Sequence, residues 1–306
     1  MLIKRAARAA QRRWAWMATV ATMAVATGAV GPVVAVQAAG VTSTVVNCKG
    51  NPSALQNAIN SAADRAELKV QGTCIGPFAI TRNLTLIGDK HTVLDGRFAG
   101  PTVTVTGPIH VRMKDLSIAN GAANADASAA GRGGGVFNNG GTLTLFNTTV
   151  RHNTAARGGG IFNDEGTVNL TRTTVRHNTA AESGGGVFNF GAGTVTLSHS
   201  SVRHNISVDG GGIASSGGTV AVLDSLVFRN GATDQGGGLF VSGGLASLIR
   251  SRVERNTAGI AGPPPGTLGG GGIFEAGGTV TLTDSKVRQN HPNNCAPANA
   301  VPNCVG

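Results

Sequence analysis

Residues 133–153 read GGGVFNNGGTLTLFNTTVRHN, and this stretch is the first of six copies of one pattern. The other copies open at Gly158, Gly184, Gly210, Gly236 and Gly270. The unit is therefore roughly 26 residues long and holds two short alternating runs, here 142–145 and 148–151, between Gly and Asn clusters typical of turns. Because such a unit cannot bury its own apolar face, neighbouring copies must stack and share a core. The pattern predicts an all-β fold, a right-handed parallel β-helix.

Aligned copies show which positions face the core and which form a corner. One aliphatic column is expected to point inward: Leu145, Leu170, Leu197, Val222, Leu248 and Leu282. A second column closes every copy: Asn153, Asn178, Asn205, Asn230, Asn256 and Asn290. Asparagine tolerates a left-handed backbone and bonds to backbone above and below when stacked, so this column predicts a structural ladder inside one corner. A third column contains Phe137, Phe162, Phe188, Phe240 and Phe274, and period-two alternation leaves open which side it faces.

The GGGV, GGGI and GGGL openings and the hydrophobe-x-x-Asn closings resemble the GGA[ILV] and FxxN repeats of the polymorphic outer-membrane proteins. They are similar also to secreted bacterial right-handed β-helix proteins. The likeness covers about half of the chain strongly, with Val where the FxxN motif has Phe. It implies the fold and export rather than an activity, because β-helices host both enzymes and inert proteins.

The first residues favour export. Residues 1–13 carry five basic side chains and no acid, and an Ala/Val-rich stretch over 14–36 precedes a small-residue cleavage site after Ala38. We therefore predict a signal peptide over 1–38 and a secreted, extracellular or cell-surface protein; an uncleaved segment would instead anchor the chain in a membrane. Cleavage leaves 20 basic against 15 acidic residues, so the net charge falls from +10 to +5, and it removes both tryptophans from a chain without tyrosine.

The remainder, 39–306, is predicted to be a single domain. Its parts are an N-terminal cap over 39–75, irregular coils over 76–132, regular coils over 133–290 and a C-terminal cap over 291–306. A short helix from Asn51, with Pro52 in its first turn, would cover the N-terminal end with one apolar face: Leu55, Ala58, Ile59 and Ala62. Four cysteines flank the repeats, and in an exported protein they favour two local disulfides out of three possible pairings: Cys48 with Cys74, and Cys295 with Cys304.

The most regular polar feature is a cationic stripe. The residues after the inward Val of each closing motif supply it: Arg151, His152, Arg176, His177, Arg203, His204, Arg229, Arg255 and Arg288. With coils about 4.8 Å apart, fixed cations in a row suit an acidic polymer, although the simplest interpretation is a solvated face that discourages aggregation. A zinc or copper site on the three histidines is a further possibility, but no fourth ligand is evident.

A catalytic site is harder to find. A β-helix lyase needs a calcium-binding carboxylate cluster and a Lys or Arg base, and a hydrolase needs paired acids. The only candidate cluster, and a weak calcium site, is Glu182, Asp209 and Asp234, which precede successive Gly triplets. We therefore expect no cofactor and a monomer with a structural or adhesion-type binding role, toward cell-wall or acidic polysaccharide or another surface protein and not toward nucleic acid. The alternative is a lyase or hydrolase acting on an acidic polysaccharide.

Overall fold

Four parallel β-sheets wrap around one apolar core in a computed structural model that describes residues 43–123, 131–259 and 269–304. The predicted signal peptide lies outside the described residues. Within them, no helix combines the length and apolar character needed to cross a membrane. Every strand pairs in parallel with the equivalent strand of the next coil, which confirms the predicted right-handed parallel β-helix.

Each regular coil visits the sheets in the order 3, 1, 2, and the first four regular coils continue into sheet 4. Sheet 1 consists of Ser43–Asn47, Ala66–Gln71, Leu84–Ile87, His110–Lys114, Thr142–Phe146, Thr167–Thr171, Thr194–Ser198, Thr219–Leu223, Leu245–Ile249 and Thr279–Thr283. Sheet 2 consists of Thr73–Ile75, Val93–Asp95, Ser117–Ala119, Thr149–Arg151, Thr174–Arg176, Ser201–Arg203, Leu226–Phe228, Arg252–Glu254 and Lys286–Arg288. Sheet 3 consists of Phe78–Ile80, Val103–Thr106, Val136–Asn139, Ile161–Asp164, Val187–Phe190, Ile213–Ser216, Leu239–Ser242, Ile273–Glu275 and Cys295–Ala296. Sheet 4 consists of Ala122–Ala123, Thr154–Arg157, Thr179–Ser183, Ile206–Ser207 and Gly231–Ala232.

The core is aliphatic, and alternation within the strands explains it. In the strand Thr167–Thr171 the second and fourth residues are buried and the others are partly exposed, as expected for a sheet with one face on the core. The predicted inward column is buried except at its C-terminal end, where Leu282 is partly exposed because only the cap follows. The Val/Ile position before each Phe also points into this core, as at Val136 and Ile161.

The Phe column lies on the opposite side of sheet 3 and is nevertheless largely buried. Phe162 has no exposed surface: its ring stacks on Phe188 at a centroid distance of 5.1 Å, and the guanidinium of Arg132 lies 5.3 Å from the ring centre. Phe137, Phe162, Phe188 and the intervening Ala214 form a second, smaller apolar cluster. Alternation left open which of the two columns faces the core; the structure places the Val/Ile column there and buries much of the Phe column between neighbouring coils.

The Gly triplets serve two different needs. The first glycine of each regular triplet has a left-handed backbone, with φ of +65° at Gly158. The second glycine has no room for a side chain, because a Cβ on Gly159 would collide with the carbonyl oxygens of Thr179 and Gly185 in the next coil. The triplet is therefore a turn followed by a close backbone approach between coils.

The closing asparagines form a continuous buried ladder. In the middle of it, Asn205 Oδ1 accepts hydrogen bonds from the backbone N and from Nδ2 of Asn178, both at 3.0 Å. The same pattern runs from Asn153 to Asn290, and Asn294 extends it into the C-terminal cap. The expectation of left-handed asparagines is wrong: the positive φ belongs to the residue just before, such as His177 at +52°.

A disulfide-bonded segment packs at each end of the solenoid. The disulfides Cys48–Cys74 and Cys295–Cys304 are confirmed. The predicted helix is present over Ala54–Ser61, with Leu55 and Ile59 buried against the core, and its Gln56 side chain bonds both backbone groups of Ala79 at the free edge of sheet 3. Its start differs from the prediction.

The residues before the helix bond to the sheet instead of capping the helix. Ser53 occupies the N-cap position without a side-chain hydrogen bond, and Pro52 lies before the helix, where its carbonyl accepts from Ile75 N at 2.9 Å. The sequence pattern indicated a helical first turn here. Instead, the carbonyl of Pro52 accepts a hydrogen bond from the backbone N–H of Ile75, in the edge strand of sheet 2.

Candidate functional site

The cationic stripe runs along the outer face of sheet 2. Each strand of this sheet has three residues, and in the regular coils the middle one is a Val that points into the core, so the first and third point outward. The third residues stand in register from coil to coil: Arg151 beside Arg176, and Arg176 beside Arg203. Neighbouring strands are about 4.8 Å apart, which places three guanidinium groups in a closely spaced row.

Charge compensation differs between the two ends of this row. At the C-terminal end, Glu254 accepts from Arg288 Nε at 2.9 Å and lies 3.8 Å from Arg252 Nη1. In contrast, Arg151, Arg176 and Arg203 form no ion pair with any carboxylate of the described residues. Burial, and then the charges of Arg203 and Arg151, lower the pKa of Arg176. The N-terminal half of the stripe is therefore an uncompensated positive surface.

A histidine ladder lies directly beside these arginines, at the corner between sheets 2 and 4. His152, His177 and His204 occupy the left-handed corner position, and their rings stack at centroid distances of 5.5 and 5.1 Å. Burial lowers the pKa of each imidazole most, and the charges of neighbouring cations lower it further. At neutral pH these rings are therefore uncharged.

Two of the histidines also contact the arginine that precedes them. Arg151 Nη1 lies 3.1 Å from His152 Nδ1, and Arg203 Nη1 lies 3.5 Å from His204 Nδ1. A guanidinium can only donate hydrogen bonds, so Nδ1 accepts and the ring proton of the neutral imidazole resides on Nε2. The ladder thus presents Nε2–H donors beside the row of guanidinium groups.

The corner continues into a groove of about 440 Å³. It is lined by His177, His204, Ile206, Arg229, Asn230, Gly231, Arg255 and Thr257. The guanidinium groups of Arg229 and Arg255 lie 4.9 and 5.8 Å from the ring centre of Phe228, and Ile206 is 50 % exposed. The groove combines cations with apolar surface, which suits a ligand that carries both acidic groups and C–H faces.

A second groove, of about 450 Å³, lies at the corner between sheets 1 and 2 and was not predicted from the sequence. Its lining includes Arg172, His199, Asp224 and Arg250. These residues follow the strands of sheet 1 and have positive φ, and Arg250 binds Asp224 through two hydrogen bonds of 2.8 Å that lower the pKa of this carboxyl. The signal was the polar residue between the two alternating runs of each copy, which resembled an ordinary turn.

The candidate calcium ligands do not form a metal cluster. Glu182 lies 3.3 Å from Arg157 Nε, and the described part of the chain contains no group of three His, Cys, Asp or Glu side chains placed to hold a metal ion. Asp209 and Asp234 do lie close enough to interact: burial first, and then Asp234, raise the pKa of Asp209. The three histidines stack in a row instead of converging, so the arrangement also gives no support to a zinc or copper site.

Comparison with known proteins leaves the chain to be interpreted on its own residues. No protein-family model matches the chain, and no curated protein is significantly similar to it in sequence. The parallel β-helix itself is present, whereas the resemblance of its repeats to those of the polymorphic outer-membrane proteins stays a prediction.

Proposed function

We propose that this chain is an exported β-helix protein that binds an acidic polysaccharide along sheet 2, in a structural or adhesion-type role at or outside the cell surface. The observation that carries the proposal is the row formed by Arg151, Arg176 and Arg203, whose charges no described carboxylate neutralises. Keeping three like charges in register opposes folding, so a ligand that neutralises them is the simplest reason for their arrangement.

The surface beside this row fits a sugar polymer. The mature chain has neither Trp nor Tyr, but the groove between sheets 2 and 4 offers the imidazoles of His177 and His204 together with exposed Ile206. Flat apolar surface next to hydrogen-bond donors is what a sugar ring requires. One cation per coil gives the polymer a repeated contact, so a longer chain gains affinity through several weak sites.

Export is supported by the covalent structure. Both ends of the solenoid are closed by disulfides, which form and persist in oxidising compartments. The basic and then apolar residues 1–38 are the predicted signal for that route.

The test is binding of the mature chain to polygalacturonate, alginate and neutral dextran at low and high salt. A variant with Arg151, Arg176 and Arg203 changed to Gln removes three stripe charges; its matched control changes three exposed cations elsewhere, Lys49, Lys69 and Arg112, to Gln. At low salt each lost ionic contact lowers affinity about fivefold, so the stripe variant binds about 100-fold more weakly. At about 0.1 M salt the control should stay within about twofold of the wild type, because the Debye length is then about 10 Å and long-range charge is screened. Equal losses in both variants, or binding that salt does not weaken, would contradict the proposal.

A second candidate function rests on Asp209 and Asp234. Burial and the neighbouring carboxylate of Asp234 raise the pKa of Asp209, which is the direction that suits the general acid of a polysaccharide hydrolase. Release of reducing ends from the bound polymer, abolished by Asp209→Asn, would establish this activity. Absorbance of an unsaturated uronate would instead indicate a lyase.

A further inference from the structure

The histidine ladder adds a second property to the proposed polyanion surface. In each of three consecutive coils an outward arginine is followed by a corner histidine: Arg151 and His152, Arg176 and His177, Arg203 and His204. We propose, building on the proposed function, that these Arg–His pairs form a proton-gated anion site, in which protonation of the imidazoles releases Arg151 and Arg203 and adds one positive charge per coil. Sheet 2 then binds a strongly acidic polymer more tightly as the pH falls.

The first step concerns hydrogen bonding. In the neutral state, His152 Nδ1 accepts from Arg151 Nη1 at 3.1 Å, and His204 Nδ1 faces Arg203 Nη1 at 3.5 Å. A protonated imidazole carries hydrogen on both nitrogens, so it can no longer accept from the guanidinium. The arginine is then free to turn toward a ligand, and both side chains become donors.

The second step concerns the charges that surround the ladder. From sheet 2 the histidines face Arg151, Arg176 and Arg203; along the corner they face one another and Arg229. The neighbouring residues on sheet 4, Thr154, Thr179 and Ile206, carry no charge. Because no described carboxylate contributes to the pKa of any of the three imidazoles, no carboxylate in the described part of the chain favours their protonated form.

The third step concerns the ligand. Three imidazolium rings stacked at 5.5 and 5.1 Å repel one another, so without a ligand they take up protons one after another over a broad range. A polyanion lying along the ladder removes this repulsion and, by linkage, must draw protons onto the rings as it binds. A sulfated polysaccharide shows the effect most clearly, because sulfate esters keep their charge at acid pH where carboxylates begin to lose theirs.

The experiment measures the affinity of the mature chain for dextran sulfate at pH 7.5 and pH 4.5, with circular dichroism to verify that the chain stays folded. If each new charge strengthens binding about fivefold, the affinity rises about 100-fold over this interval. The test variant changes the three ladder histidines to Gln, a residue that the same column already contains at Gln289 with φ of +56°. Its matched control changes three histidines outside the ladder to Gln: His91, His110 and His291.

The outcomes separate this inference from the proposed function. A steep pH dependence in the wild type and the control, with a flat profile in the ladder variant, supports the proton gate. Salt-sensitive binding that does not change with pH, or a ladder variant as pH-dependent as the wild type, overturns the gate and leaves the polyanion surface standing. No binding at either pH overturns both. As an independent readout, NMR titration should show that dextran sulfate raises the pKa of the ladder histidines.

Discussion

Replacing Asn205 with alanine tests whether the asparagine ladder stabilises the solenoid. Asn205 is completely buried, and its Oδ1 accepts from the backbone N and Nδ2 of Asn178, both at 3.0 Å. Its Nδ2 donates to Val175 O at 3.1 Å and to Asn230 Oδ1 at 3.0 Å. Asn205→Ala therefore breaks four hydrogen bonds and leaves the backbone N–H of Asn178 without an acceptor inside the protein.

The expected loss follows from these contacts. One unsatisfied buried donor costs about 1–3 kcal/mol, and three further bonds contribute about 1 kcal/mol each, so we expect a loss of about 4–6 kcal/mol in the free energy of unfolding. For a domain of this size that corresponds to a Tm lower by about 10 °C. Far-UV circular dichroism is the suitable probe in thermal and urea unfolding, because both tryptophans lie in residues 1–38 and the chain has no tyrosine.

The matched control is Asn169→Ala on the outer face of sheet 1. Asn169 is partly exposed, and its side chain makes no hydrogen bond to a described residue, so the same chemical change should cost less than about 0.5 kcal/mol. If Asn205→Ala and Asn169→Ala destabilise the protein equally, the ladder is not the stabilising element that its geometry indicates.

Three further predictions concern backbone fit, crosslinks and pH. Gly159→Ala should destabilise by several kcal/mol, since its Cβ would collide with carbonyl oxygens of the next coil, whereas Gly50→Ala in open space should be nearly neutral in the same urea titration. Removing the N-terminal disulfide should lower the free energy of unfolding by about 1 kcal/mol more than removing the C-terminal one, because they close sequence separations of 26 and 9 residues; equal losses would argue against this entropic account. The ladder histidines have a pKa below 6.5 in the folded state, so the unfolded chain binds more protons. Tm should therefore fall as the pH drops from above 6.5 through these lowered pKa values. Changing the three histidines to Gln should flatten this part of the profile of Tm against pH.

The fold could be predicted from the sequence because each copy repeats one period and shares its inward columns with the others. The structure contains two further ladders that were not predicted. Asn138 Nδ2 donates to Asn163 Oδ1 at 2.8 Å at the corner between sheets 3 and 1. At the corner between sheets 1 and 2, Thr173 N donates to Ser200 Oγ at 3.0 Å, and equivalent bonds continue to Ser285. Amides and hydroxyls suit an exposed turn equally well, and only the register of the adjacent coil makes them buried partners.

The candidate site, like the fold, could be predicted from the sequence only in part. A column of arginines and histidines can be found by alignment, and parallel pairing makes it a row. The compensation of that row by Glu254 at one end depends on side-chain geometry, because Glu254 occupies the same aligned column as Arg288, which it neutralises. The stacking of the imidazoles depends on the left-handed corner, which the sequence pattern assigned to the neighbouring asparagine.

At the left-handed corner the backbone conformation is constant while the side-chain type varies. Its column holds Asn120, His152, Arg229 and Gln289 at φ values between +50° and +56°, so amide, imidazole and guanidinium side chains all occupy one backbone conformation. The fold constrains only the backbone conformation at this position, because the adjacent asparagine makes the buried hydrogen bonds. Each coil therefore has one corner position whose side chain can vary while the backbone stays the same. Substitutions at this position can change the affinity and the acid response of such a solenoid without disturbing the core, and added coils can lengthen its surface.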